Sequence, residues 1–147
     1  MNGTREIRIR EYLNVSNREL QSLANFDESL LRIDCENNAL TSLPKLPPNL
    51  LELRCGKNKL TSLPELPDSL EYLHCNKNQL TMLPKLPAAL KYLYCGGNRL
   101  QTLPTLPSNL TMLHCANNPI TVMPDIPLSL THMFIDCPKN SCKCIIM

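Results

Sequence analysis

The sequence has few glycines, few aromatic residues and no tryptophan. Its 147 residues include four glycines, four tyrosines and two phenylalanines. With so few glycines, no glycine-rich phosphate-binding loop is present. A formal net charge of +2, without a run of lysine or arginine, argues against nucleic acid as a partner. No apolar run has the length of a membrane span, and the polar residues 1–6 lack the apolar region of a secretory signal. These absences predict a cytoplasmic protein with reduced thiols.

Most of the sequence repeats one pattern every 20 residues. Residues 30–49 read LLRIDCENNALTSLPKLPPN, and the same apolar, cysteine, asparagine and proline positions return through five full cycles across residues 30–129. Ten of the thirteen prolines fall at two of these repeated positions, so they belong to the architecture. A strict period of this length predicts a solenoid, in which each unit buries its apolar edge against copies of itself.

Each repeat contains two contrasting halves. Residues 32–35 alternate polar and apolar side chains, which predicts a short strand, and stacked copies of it would form a parallel sheet. The L-P-x-L-P segment, as in residues 43–47, removes backbone donors and fixes φ, so we expect extended or polyproline-like backbone there. The predicted divisions are an N-terminal cap with a degenerate repeat (1–29), the repeats (30–137) and a flexible tail (138–147).

The strand half carries a family resemblance. Residues 50–60, LLELRCGKNKL, resemble the leucine-rich repeat, L-x-x-L-x-L-x-x-N/C-x-L. With the L-P-x-L-P half and the short period, the chain is similar to the repeats of YopM-type and IpaH-type bacterial effectors and of giant viruses. The resemblance implies a leucine-rich-repeat horseshoe: an α/β-class solenoid, mostly β and irregular, with a parallel sheet on its concave side and an extended convex side. IpaH-type enzymes add a ubiquitin-ligase domain after the repeats. No such domain follows here, so we expect no enzyme.

Two polar ladders are expected to be structural. One cysteine per repeat occupies an inward apolar position and is expected to pack there as a small hydrophobic residue. One asparagine per repeat is expected to satisfy backbone groups at the turn after the strand. Neither ladder has the spacing of a zinc site, so no metal and no cofactor is predicted.

The outward strand positions hold the candidate binding residues. All histidines and tyrosines of the sequence fall in these columns, together with one of the two phenylalanines. Tyrosine, methionine and arginine are enriched where proteins bind other proteins. We therefore predict a protein partner on the concave face, bound by Arg32, Asp34, Glu52, Arg54, Tyr72, His74, Tyr92, Tyr94, Met112, His114, His132 and Phe134. Exposed strands favour aromatic residues in any case, and that alternative stays open.

The last residues match a lipidation signal. Cys144-Ile145-Ile146-Met147 fits the C-a-a-X box, and its terminal methionine favours farnesylation of Cys144 by a prenyltransferase. A single lipid holds a protein weakly, so Cys142 is a candidate for palmitoylation as a second anchor. Alternatively, Ile145 and Ile146 only cap the open end of the core.

These features together predict a non-enzymatic interaction module. It would bind a protein partner and lie on the cytosolic face of a membrane through its lipid anchor. If the protein comes from a pathogen, it would be an effector acting in the host cell. Two alternatives remain: a soluble, unlipidated binding protein or inhibitor, or the substrate-recognition half of a ubiquitin-ligase system.

Overall fold

The computed structural model describes residues 11–136. Within this range the chain forms seven three-residue strands and no helix. The strands are β1 (Tyr12–Asn14), β2 (Arg32–Asp34), β3 (Glu52–Arg54), β4 (Tyr72–His74), β5 (Tyr92–Tyr94), β6 (Met112–His114) and β7 (His132–Phe134). Since no helix is present in these residues, none of the length and apolar character needed to cross a membrane occurs there.

The seven strands form one parallel sheet in the order of the sequence. The register advances by one repeat at each step, so Ile33 lies beside Leu53, and Leu53 lies beside Leu73. Parallel neighbours require a crossover, and here each crossover is a full turn of irregular chain. The predicted solenoid of parallel strands is confirmed.

Inward side chains form one continuous core along the stack. The central strand residues Leu53, Leu73 and Leu93 are completely buried. Each fully buried leucine stabilises the fold by about 1.5–3 kcal/mol relative to an exposed one. Leu66 and Leu86, from the L-P-x-L-P segments, reach the same core from the opposite side. We call these segments the proline wall.

The ladder cysteines lie in the core as free thiols: Cys35, Cys55, Cys75, Cys95 and Cys115. Burial raises the pKa of each thiol, to about 12 for Cys35 and about 11 for Cys115. The thiolate is the nucleophilic form of cysteine. At neutral pH these side chains therefore act as small apolar groups.

The asparagine ladder ties successive turns together. Asn78, only 8% exposed, donates through Nδ2 to the carbonyl oxygens of Cys55 (3.0 Å) and Cys75 (3.1 Å). Its Oδ1 accepts a hydrogen bond from the backbone N–H of Leu60, at 3.0 Å. One amide thus satisfies backbone groups in two repeats, which would otherwise be buried without partners.

A left-handed residue precedes each ladder asparagine. These residues have φ between +53° and +66° and are Asn37, Lys57, Lys77, Gly97 and Asn117; in the degenerate repeat, Asn17 adopts the same conformation before Arg18. Asparagine and glycine tolerate this conformation well, whereas other residues adopt it at a cost. Each repeat therefore leaves its strand through the same tight turn.

The stack is less tightly covered near its C-terminal end. On the last turn of the proline wall, Ile126 is 38% exposed, whereas its equivalents Leu86 and Leu106 are 6% exposed. At the other end, β1 lies within the degenerate repeat and already pairs with β2 in register. The divisions 1–29, 30–137 and 138–147 stay predictions, and the last of them lies outside the described residues.

Candidate partner-binding face

The candidate site is the outer surface of the sheet. In every strand the central side chain points into the core, so the residues before and after it point outward. We call this outward surface of β1–β7 the concave face. All twelve predicted binding residues lie on it, because each flanks the central residue of a strand.

Tyrosines form the centre of this face. The ring of Tyr72 lies 6.0 Å from the ring of Tyr92 and 5.5 Å from that of Tyr94, measured between centroids. The guanidinium of Arg54 stands over Tyr72, 5.1 Å from its centroid. These separations suit favourable aromatic and cation–π contacts. Burial raises the pKa of Tyr72, so its hydroxyl stays protonated at neutral pH.

The ring contacts continue across four strands. His74 meets Tyr94 edge-on at 5.6 Å, and Tyr94 stacks on His114 at 6.3 Å. His114 in turn lies 5.6 Å from Phe134. The whole set, here called the aromatic row, is Tyr72, His74, Tyr92, Tyr94, His114 and Phe134. It is partly exposed: Tyr92 is 42% and Phe134 is 44% accessible.

The predicted charged residues lie together on β2 and β3. Glu52 accepts a hydrogen bond from Nε of Arg54 at 2.6 Å and lies 3.8 Å from Nε of Arg32 across the strands. The hydrogen bond to Glu52 raises the pKa of the Arg54 guanidinium. Asp34 instead accepts a hydrogen bond from the backbone N–H of Glu36 at 3.1 Å. This charged zone (Arg32, Asp34, Glu52, Arg54), with Tyr12 and Ile33, lines a hollow of about 370 Å³.

The two remaining predicted residues lie at the margin of the aromatic row. Met112 is half-buried on β6, between Tyr92 and His132 in the register. His132 is exposed, and its Nδ1 lies 2.9 Å from the hydroxyl of Thr131. Neither makes a ring contact with the row within the part of the chain that the structure describes.

Sequence reasoning missed a third column on this face. It consists of the residue that follows each ladder cysteine: Glu36, Gly56, Asn76, Gly96 and their equivalents. The imidazole Nδ1 of His74 contacts the carboxylate of Glu36, two strands away. Gly56 makes this possible, because a Cβ there would lie 3.2 Å from the His74 ring. The sequence signals this contact by an acid and a glycine in the third column of two successive repeats, Glu36 and Gly56, followed in the next repeat by a histidine in the neighbouring strand column, His74.

Gly96 and His114, 40 residues later, repeat the pairing of a glycine with a histidine, but here the histidine has no acidic partner within the described residues. His114 folds over Gly96, where a Cβ would lie only 2.6 Å from its Nδ1. Asn76, the equivalent of Glu36, already accepts a hydrogen bond from the Gly96 backbone N–H at 2.6 Å. Nδ1 of His114 is therefore buried without a hydrogen-bond partner among residues 11–136. Both glycines thus leave room for a histidine ring close to the backbone.

The described residues offer no cluster of metal ligands. In residues 11–136, no three histidine, cysteine, aspartate or glutamate side chains converge as metal ligands do. The ladder cysteines are buried in the core. What the face presents is a row of rings beside a cluster of charges.

A second surface feature lies on the proline wall. A groove of about 730 Å³ runs along it, and Leu66, Pro87, Leu106 and Pro107 are among the residues that line it. The predicted lipidation residues Cys142 and Cys144 lie outside the described residues.

The fold and face together define the class: the protein is a leucine-rich-repeat solenoid. No protein-family model and no curated protein matches the chain. Several solved structures are similar to the chain. YopM from Yersinia enterocolitica WA-314 is 40% identical with a TM-score of 0.79, over 80% of this chain and 26% of that one. YopM, a leucine-rich effector protein from Yersinia pestis, is 39% identical with a TM-score of 0.83, over 86% of this chain and 36% of that one.

A Shigella effector leucine-rich-repeat domain is also similar. It is 35% identical with a TM-score of 0.77, over 79% of this chain and 53% of that one. The chain thus spans between about a quarter and about half of the length of these structures. Its repeats are like those of bacterial effector proteins.

Proposed function

We propose that this protein is a non-enzymatic interaction module that binds a protein partner through its concave face. The observation that carries the proposal is the aromatic row. The tyrosines of the sequence are few, and three of the four join two histidines and a phenylalanine in one contiguous surface. Clustered, partly exposed aromatic side chains are the usual anchors of protein interfaces.

The shape of the site supports a protein as the partner. The aromatic row is an open surface that extends over four adjacent strands, from β4 to β7, rather than an enclosed cavity. Small-molecule sites are concave and bury most of their ligand, whereas protein interfaces are broad with a central cluster of aromatic residues. Tyr92 and Phe134 keep enough exposed area to gain from a partner that covers them.

Replacing Tyr92 and Tyr94 with alanine tests the proposal. We expect partner capture to fall at least about 30-fold, since tyrosine hot spots contribute about 2 kcal/mol or more each. Thermal stability should change little, because Tyr92 lies outside the core and Tyr94 is only half-buried. The matched control is Tyr12→Ala, which removes a tyrosine of the same face that lies outside the aromatic row and is 53% exposed, against 42% for Tyr92. Equal capture by all variants would refute the proposal.

We further infer an effector role at a host membrane. The similarity to effector repeats supports the first part, and the C-a-a-X pattern at Cys144 supports the second. The anchor requires a chain that ends at Met147. After expression in a eukaryotic cell, intact mass should show a farnesyl adduct and loss of residues 145–147, absent from Cys144→Ser. A full-length unmodified mass would favour the soluble alternative. Palmitoylation of Cys142 would appear as a second, thioester-linked adduct.

A further inference from the structure

Exposed cations lie in the loops that follow three strands of the concave face. The loops that leave β3, β4 and β5 carry Lys57, Lys59, Lys77 and Arg99, here called the basic edge. All four of these residues are exposed. Each of the four side chains lies more than 4.0 Å from every carboxylate of residues 11–136. None of the four is therefore held in an ion pair within the described fold.

Two of these lysines occupy a position that disfavours them. Lys57 and Lys77 have φ of +54° and +56°, in the left-handed region. The equivalent residues of the neighbouring repeats are asparagine or glycine, which adopt this conformation at lower cost. A lysine there is strained, and backbone strain kept at a surface position is typical of functional sites.

The two strained lysines are also neighbours. The left-handed positions stack on one another: Asn37 donates to Asn17, and a Cβ on Gly97 would lie 3.4 Å from Cγ of Lys77. Lys57 and Lys77 are consecutive members of this stack, so two cationic side chains leave the backbone from adjacent positions, an arrangement that is unfavourable for like charges. The fold thus carries two separate costs at one place, and asparagine would avoid both.

The acids of the concave face do not offset the basic edge. Glu36 contacts His74, Glu52 binds Arg54, and Asp34 accepts from a backbone N–H. From Tyr72 to Phe134 the outward strand positions hold no carboxylate at all. Asn76, Gly96 and Ala116, which lie between the basic edge and the aromatic row, are neutral, and the next residue of this column, Asp136, accepts a hydrogen bond from the backbone N–H of Asn117. A ligand can therefore contact rings and cations together.

We propose that the concave face takes an acidic polypeptide segment, whose aromatic or apolar side chains meet the aromatic row while its carboxylates meet the basic edge. This inference rests on the proposed function and adds the chemistry of the partner. Charge complementarity selects a polyanion. The formal net charge of only +2, without a run of lysine or arginine, argues against nucleic acid, so a polypeptide fits better.

The test uses a fluorescent random copolymer of glutamate and tyrosine with the full chain. Lys57→Asn/Lys77→Asn installs the residue that other repeats already use. We expect copolymer binding to weaken about tenfold and its salt dependence to diminish, since two exposed charge contacts are lost. The same variant should melt about 2–4 °C higher, because strain and like-charge repulsion are removed. Weaker binding by a more stable protein excludes unfolding as the cause.

Lys45→Asn/Lys85→Asn is the matched control, with the same charge change on exposed lysines of the proline wall. It should bind the copolymer within about twofold of the wild type. Unchanged binding by Lys57→Asn/Lys77→Asn, with binding still lost in Tyr92→Ala/Tyr94→Ala, would overturn the basic edge but leave the proposed function intact. Binding that depends on neither pair would overturn both the basic edge and the proposed function. If the copolymer does not bind at all, the acidic segment is wrong as the partner. Tighter, lysine-dependent binding of polyuridylate would identify nucleic acid instead.

Discussion

Replacing Asn78 with alanine should destabilise the fold by about 3–4 kcal/mol. The side chain is almost fully buried and joins the turns of two repeats. Its loss leaves the Leu60 N–H without an acceptor and the carbonyls of Cys55 and Cys75 without the amide donor. Alanine offers no group that could replace these bonds, and the site is closed to solvent.

The magnitude follows from the bonds that are lost. Each intramolecular hydrogen bond contributes about 0.5–1.5 kcal/mol, and a buried group left unsatisfied costs about 1–3 kcal/mol. Three bonds to one buried amide therefore predict a loss of about 3–4 kcal/mol. Since domains of this size have about 5–15 kcal/mol in total, the variant should remain folded but be visibly weakened.

Urea unfolding followed by circular dichroism measures this loss. Asn118→Ala is the control, because Asn118 makes the equivalent bonds to Leu100, Cys95 and Cys115 at 3.0 Å but is only half-buried near the open end. We expect it to cost about half as much, since water can replace part of what is lost. A loss below about 1 kcal/mol for Asn78→Ala would refute the structural role of the ladder.

Two further predictions concern the glycines and the thiols. Gly96→Ala should destabilise the protein by about 1–3 kcal/mol and displace His114, because the new Cβ would lie 2.6 Å from its Nδ1; Gly56→Ala, with its nearest contact at 3.2 Å, should cost less. Equal melting temperatures for the two would contradict this. Burial raises the pKa of the ladder thiols above 9.0, so stability is complete below about pH 9 and falls as pH rises towards the folded values of about 12 for Cys35 and about 11 for Cys115. Unfolding midpoints that do not change from pH 8 to about pH 10.5 would contradict that sign.

The sheet could be predicted from the sequence because its repeats are nearly identical. When Ile33, Leu53 and Leu73 occupy the same place in successive cycles, only one parallel register buries all of them. The cysteine and asparagine ladders follow from the same logic, since an inward position repeated along a stack meets the same neighbours each time. In a regular repeat, the position of a residue within one cycle therefore also gives its neighbours in the folded protein.

The contacts on the concave face could not be predicted in the same way, because each depends on differences between repeats. The contact between Glu36 and His74 spans two strands and requires Gly56 between them. Glu52 binds Arg54 along its own strand and lies near Arg32 across the sheet, a choice set by side-chain geometry. Likewise, the strain at Lys57 and Lys77 appears only once the backbone angles are known.

The most direct test of the account is photo-crosslinking from the concave face in cells. Benzoylphenylalanine would replace Tyr92 in one protein and Thr105, which lines the groove of the proline wall, in another. We expect one protein to be crosslinked from position 92 and not from position 105, with the adduct lost when Tyr94 is also replaced by alanine. An adduct formed only from position 105 would contradict the account and place the binding surface on the proline wall.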